Sequence, residues 1–258
     1  MDEQIYQKIT SKKEFSQLPQ ADVERIWKLF EKRETSEEDK IKLTRDLLRK
    51  IYFAFGSLKL LNQNILDKKT SDEILKKHIS TKERFEVYNE LYSKLLKGFK
   101  GNVIDLGAGI NGLSYKYFPK GIFYLGVEAV GQLVNLTNYF FKKEKIEDSK
   151  AIHGSLFELD KIKKIIKETK GEKIIFLFKT IDSLEMTERD YSKKLLNEIT
   201  PLVDKVIVSF ATQSLISKKE FKVKRYWFEN FIKQEFKILE DFELGGERYI
   251  SFQKNVIA

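Results

Sequence analysis

The chain has no cysteine, only three prolines, two histidines and two methionines among its 258 residues. Without cysteine there is no disulfide, no thiolate metal site and no cysteine nucleophile. Two histidines give little material for a metal cluster or an acid–base relay, so a metal-free protein is expected. Scarce proline leaves few stiffened loops and argues against long linkers. No apolar run approaches the ~18 residues of a membrane-spanning helix. The opening stretch, MDEQIYQKITSKKEF, lacks the apolar core of a secretion signal. These absences predict a cytoplasmic protein with no membrane partner.

What is present is ample core material. Hydrophobic residues make up 41%, with 20 Phe and 11 Tyr, enough for one large domain or a core domain with a helical extension. The net charge is +9, and its distribution is uneven. Residues 1–39 carry 7 basic and 10 acidic side chains, whereas residues 40–100 carry 15 basic and 7 acidic ones. An excess concentrated in one segment suits a surface that faces a polyanion; in a lysine-rich chain it also suits a merely solvated one.

Residues 1–100 read as helices. Ser16-Gln17-Leu18-Pro19 reads as a turn, and Val23, Ile26, Trp27 and Phe30 follow at helical spacing, with Trp27 read as core. Leu43, Leu47, Leu48, Ile51, Tyr52 and Phe55 mark another helix, ended by Gly56-Ser57, and a third starts near Ser71. The stretch HISTKERF, residues 78–85, opens a further helix. Ser80 or Thr81 is expected to cap it, with Glu83 completing a capping box. Arg84 then falls in the first turn, where the helix dipole disfavours a cation, so an anionic partner such as an amino-acid carboxylate is expected beside it.

The most informative stretch is VIDLGAGINGLSY, residues 103–115. Val103, Ile104 and Leu106 read as a buried strand carrying Asp105. Gly107, Ala108 and Gly109 turn the chain, and small residues there let backbone N–H groups approach a ligand. A helix is expected from Asn111. The next apolar run ends in Glu128, placed to accept the hydroxyls of a ribose. Gly112 also completes a dinucleotide-type G-x-G-x-x-G, so the turn alone allows either a dinucleotide or S-adenosylmethionine, or an ordinary strand–turn–helix.

From residue 100 strands are expected at 103–107, 122–128, 150–153, 173–179 and 205–211. Helices are expected at 111–118, 131–143, 159–169, 188–199 and 225–234. Residues 236–244 and 248–253 flank Gly245-Gly246 as a hairpin. A parallel sheet closed by an antiparallel hairpin is the class I methyltransferase arrangement. The predicted fold is therefore an α/β, Rossmann-like, class I S-adenosylmethionine-dependent methyltransferase domain at 98–258, preceded by an all-helical extension at 1–97.

Four ordered motifs sharpen this. They are His78-Ile79-Ser80-Thr81-Lys82-Glu83-Arg84, Asp105-Leu106-Gly107-Ala108-Gly109-Ile110-Asn111, Phe176-Leu177-Phe178-Lys179, and Ser209-Phe210-Ala211-Thr212-Gln213-Ser214-Leu215. With them the chain resembles the aminoglycoside-resistance family of 16S ribosomal RNA guanine-N7 methyltransferases over essentially its whole length, as a divergent or archaeal-type member. The resemblance implies that Arg84 clamps the methionine carboxylate of S-adenosylmethionine, with His78, Ile79 and Ser80 beside it. It also implies that Phe55 lends an aromatic ring, Asp105, Gly107, Gly109 and Glu128 hold the nucleoside, and Ser155 and Leu156 flank the adenine. Phe178 would lie beside the cofactor, and Lys179 would position the target base.

The chain departs from the family pattern at two places. Ser155 stands where many relatives have an acid for the adenine amino group. After the fifth strand, Ala211, Thr212 and residues 217–221 replace the usual Pro-basic and Gly-basic pattern. Lys218, Lys219, Lys222, Lys224 and Arg225 nevertheless leave that region basic, which fits RNA contact. The expected partner is the small ribosomal subunit or its 16S RNA. The alternatives are methylation of another RNA or another atom, such as adenine N1, and a non-catalytic RNA-binding assembly factor.

Overall fold

The structure, a computed structural model, describes residues 1–53, 58–212 and 225–255. Among the described residues seven α-helices precede the sheet: α1 (Glu3–Thr10), α2 (Gln20–Lys28), α3 (Glu37–Tyr52), α4 (Ile65–Lys68), α5 (Ser71–Leu75), α6 (Ile79–Phe85) and α7 (Tyr88–Leu95). In α3 the Ser36 hydroxyl accepts from the Asp39 N–H, acids fill the first turn, and Arg49 and Lys50 occupy the last, so cap and dipole agree. Its buried residues, Ile41, Thr44, Leu48 and Ile51, form one stripe. Among the described residues no helix is long and apolar enough to cross a membrane.

The sheet contains β1 (Gly101–Leu106), β2 (Ile122–Glu128), β3 (Lys150–His153), β4 (Lys173–Phe178), β5 (Lys205–Ala211), β6 (Phe236–Leu244) and β7 (Glu247–Lys254). Its order is β3-β2-β1-β4-β5-β7-β6. β1 to β5 run parallel, β7 is antiparallel to β5, and β6 pairs antiparallel with β7. The central strands are buried on both faces, as a covered parallel sheet requires, whereas β6 at the edge alternates. Successive residues serve opposite layers. Phe176 joins Trp27, Leu48, Tyr92 and Tyr124 on one side, while Ile175 and Leu177 join Leu195, Val208 and Phe228 on the other. Fully burying a large apolar side chain stabilises the fold by about 1.5–3 kcal/mol. The helical segment and one sheet face therefore share a core.

The remaining helices are α8 (Gly131–Lys143), α9 (Leu159–Glu168), α10 (Ile181–Thr187), α11 (Tyr191–Ile199) and α12 (Tyr226–Glu235). The strands and the hairpin lie where the sequence predicts them; three local expectations do not hold. First, α6 begins at Ile79 behind His78, and Ser80 makes no cap. Its hydroxyl bonds the His78 Nδ1 at 2.8 Å, and the capping box sits instead on Thr70 and Glu73 of α5. Arg84 therefore lies in the last turn of α6, where the dipole favours a cation. Second, Asn111–Tyr117 is a 3₁₀ helix, not an α-helix. Side chains three apart eclipse in that geometry, which sets Asn111 and Ser114 together against the Tyr92 hydroxyl at 3.2 and 2.7 Å. Third, α10 is an additional helix with no capping side chain: Thr180 Oγ1 donates to the Leu106 and Phe178 carbonyls instead.

Candidate functional site

The sheet reverses its strand order between β1 and β4, and a cavity opens at the carboxyl ends of β1, β2 and β4, where such folds bind ligands. Asp105, Gly107, Gly109, Glu128, Phe178 and Lys179 line it from the sheet, and His78, Ser80 and Arg84 line it from α6 and its approach. Leu156 completes the set. Ile79 is largely exposed and does not line the cavity. Ser155 is buried and does not line the cavity. Phe55, Lys218, Lys219, Lys222 and Lys224 lie outside the described residues. Arg225 is spent on the fold, donating to both oxygens of Asp182 at 3.0 and 2.6 Å and lying over the Phe210 ring.

The glycine turn behaves differently from the expectation. Gly107 and Gly109 have φ of +76° and +54°, a conformation glycine adopts freely. Their N–H groups do not point at the cavity, however. Those of Gly107 and Ala108 bond the Val127 carbonyl at 2.9 and 3.1 Å, and that of Gly109 donates to Glu128 Oε2 at 2.8 Å. The turn's service is to aim Glu128, whose Oε1 also accepts from Val130 N–H at 2.8 Å. Each oxygen keeps a lone pair for a ligand hydroxyl. Burial raises the Glu128 carboxyl pKa, and these N–H donors oppose that rise. A Cβ on Gly109 would meet nothing within 4 Å, so the turn borders open space.

Arg84 is almost fully buried. Its Nε lies 3.1 Å from Glu247 Oε1, its Nη2 donates to the Ser80 carbonyl at 3.0 Å, and its Nη1 donates to Asn111 Oδ1 at 3.2 Å. Of the five guanidinium donors this leaves one N–H on each terminal nitrogen without a partner among the described residues. Burial alone would lower its pKa, but Glu247 beside it raises it, so the cation is fixed. The anionic partner expected near Arg84 is thus in part the protein's own Glu247. Lys179 joins the cluster, 2.9 Å from Glu247 Oε1 and 2.8 Å from Glu83 Oε2, with φ of +56°. Two cations and two carboxylates balance at the cavity wall, with Arg84, Lys179 and Glu247 buried and Glu83 partly exposed. His78 beside them is pushed down to about 4, first by burial and then by Arg84 and Lys179, and so stays neutral.

The structure adds residues that the motifs do not mark. Asp22, Ile51 and Tyr52 from α2 and α3, together with Ala129, Leu133 and Phe157, line the same cavity. Asp22 offered one signal in the sequence: an acid immediately before the apolar stripe Val23-Ile26-Trp27. Glu247 and Glu83 as ion partners offered none, because their pairing depends on the hairpin reaching α6.

No family model matches the chain. The 16S rRNA (guanine(1405)-N(7))-methyltransferase of Proteus mirabilis is 26% identical over 190 residues, 69% of this chain and 63% of that protein. The chain thus matches less than two thirds of that curated relative's length. The crystal structure of the 16S rRNA methyltransferase RmtF, in complex with S-adenosyl-L-homocysteine, superposes with a TM-score of 0.81 at 20% identity, covering 99% of this chain and 100% of that one. The 16S rRNA methylase RmtB superposes with a TM-score of 0.78 at 21% identity over 98% of each chain. The resemblance read from the motifs thus extends to the arrangement of the whole backbone. In fold the chain is of the same kind as these 16S rRNA methylases, a class I methyltransferase sheet with a terminal antiparallel hairpin and a helical segment ahead of it.

Proposed function

We propose that the chain is an S-adenosylmethionine-dependent RNA methyltransferase whose acceptor is N7 of a guanine in the decoding region of 16S ribosomal RNA. The observation that carries this reading is one cavity holding an anchored acid, Glu128, and a buried guanidinium, Arg84, with two donors in reserve. An adenosyl group with an amino-acid tail calls for that pair: diol to carboxylate, carboxylate to guanidinium. The four motifs and the likeness to a guanine-N7 enzyme support the choice of acceptor.

Bound there, S-adenosylmethionine supplies a methyl group on a cationic sulfur. Glu128 would accept from the ribose hydroxyls through the lone pairs its two backbone donors leave free. Arg84 would grip the carboxylate through Nη1 and Nη2, with Nε donating to the Ser80 carbonyl and Glu247 balancing the charge. Leu156 would cover the adenine and Phe178 the tail. Guanine N7 presents a lone pair, so no proton has to leave before it attacks. That fits a site whose histidine is neutral and bonded to Ser80. Lys179 has three N–H donors, of which one is bonded to Glu83, while Glu247 pairs with its charge; a remaining donor would steady the base or its phosphate. Residues 1–97 would grip the RNA backbone ahead of a transfer domain at 98–258, with Lys218, Lys219, Lys222 and Lys224 as further contacts. Work on ribosomal RNA would place the protein in the cytoplasm.

The test is transfer of labelled methyl to small ribosomal subunits, free 16S RNA and transfer RNA in parallel, followed by borohydride and aniline treatment. Label on the subunit with strand cleavage at one guanine is expected. A reverse-transcriptase stop without cleavage would refute N7 as the acceptor. No label on any RNA would favour a non-catalytic RNA-binding protein.

A further inference from the structure

Asp22 lies in the helical segment, on α2, yet its carboxylate faces the same cavity as Glu128. It is 1% exposed. Its hydrogen-bond partners are neutral hydroxyls, with the Arg25 charge nearby: Tyr52 donates to Oδ2 at 2.8 Å, and Ser155 donates to Oδ1. A carboxylate offers about four lone-pair sites, so two remain after these bonds. A charge taken out of water this far needs more donors than two hydroxyls supply. Burial raises its pKa, as it does that of Tyr52, whose hydroxyl feels Asp22 and Glu128 together. Asp22, Tyr52 and Glu128 all line the one cavity.

The order β3-β2-β1-β4 assigns the ends of that cavity. Arg84, Phe178 and Lys179 stand on the β4 side, Glu128 ends β2, and Leu156 and Phe157 follow β3. A nucleoside whose ribose sits on Glu128, with its charged tail towards Arg84, extends its base towards Leu156, Phe157 and Asp22. Ser155 cannot serve as the principal partner of that base. Its only proton goes to Asp22, and its oxygen already accepts the Phe157 N–H at 3.0 Å.

We propose that Asp22, oriented by Ser155 and Tyr52, accepts the exocyclic amino group of the adenine and makes the cavity selective for a 6-aminopurine. This rests on the S-adenosylmethionine reading given above.

The experiment compares binding of S-adenosylhomocysteine and its 6-deamino (purine) analogue by calorimetry, in the wild type, Asp22→Ala and Ser155→Ala. The wild type is expected to prefer the amino form about ten- to a hundred-fold, the worth of one charge-assisted hydrogen bond. Asp22→Ala should reduce that preference to about two-fold at most, and Ser155→Ala, in which Tyr52 still holds Asp22, should largely keep it. A preference that survives in Asp22→Ala, or one that disappears in Ser155→Ala, would overturn the assignment. Equal wild-type affinity for both ligands would overturn it as well, while leaving the cofactor reading intact. Failure of the wild type to bind either ligand would instead overturn the cofactor reading on which the assignment depends. Ser155→Ala keeps the proposal falsifiable should Asp22→Ala not fold.

Discussion

Lys179 combines a left-handed backbone, a buried ammonium and two carboxylate partners at the end of β4. A non-glycine residue held there costs of order 1–3 kcal/mol and persists only where its surroundings fix it. Glu83 and Glu247 do so, and Glu247 holds Arg84 as well. The motif residues Arg84, Glu128 and Lys179 were legible in the sequence because each belongs to a short pattern. Asp22 and Glu247 were not, because their meaning depends on partners 133 and 38 positions away, Ser155 and Ser209. His78 offers a test at this scale. Its pKa is about 4 in the fold and 6.5 in the open chain, so the folded state holds fewer protons between those values. Its contribution is complete above pH 6.5 and is lost as pH falls towards 4, up to about 3 kcal/mol. Asp22, Asp105 and Glu128, held up by burial, act in the opposite sense. The difference between wild type and His78→Gln in urea unfolding isolates the histidine. That difference should shrink from pH 7 to pH 4.5, and a constant one would refute this account.

The strands were legible because apolar runs of four to eight residues between turn signals admit few other readings. The 3₁₀ turn and α10 were not, since tertiary demands set them: a shared hydroxyl at Tyr92 and carbonyls beside Thr180. The hairpin shows how one element locks another. Gly245 has φ of +59°, and a Cβ there would meet Val87 Cγ2 at 2.7 Å and the Glu83 carbonyl at 3.0 Å. At Gly246, φ is +76° but the nearest atom would be Glu83 Cδ at 3.9 Å. Alanine at both positions pays the backbone strain, and only at 245 does it also push α6 away. Gly245→Ala should therefore destabilise by about 1–3 kcal/mol more than Gly246→Ala in urea melts. Equal losses would show that the turn's conformation matters and its contact with α6 does not.

For the whole molecule, charge is less freely available than composition suggests. Arg84 is buried, Arg45 bonds the Ile9 carbonyl and Ser11, and Arg49 pairs with Glu14 and Asp46. Lys42, Lys50, Lys59, Lys68, Lys76, Lys77, Lys82, Lys94, Lys97 and Lys100 remain exposed between residues 40 and 100. If several of these meet phosphates, RNA affinity should fall at least ~10-fold between about 50 and 200 mM salt, measured by filter binding. Affinity that is flat across that range would remove the segment from the RNA contact. The shared cavity has a further consequence. Its wall is drawn partly from α2, α3 and α6 and partly from strand ends, so a small molecule seated there closes a clasp between two stretches of chain. Occupancy at a hundred times its dissociation constant would add about 2.7 kcal/mol to the stability of both stretches together. Ligand concentration would thus govern how firmly the helical segment stays docked on the sheet.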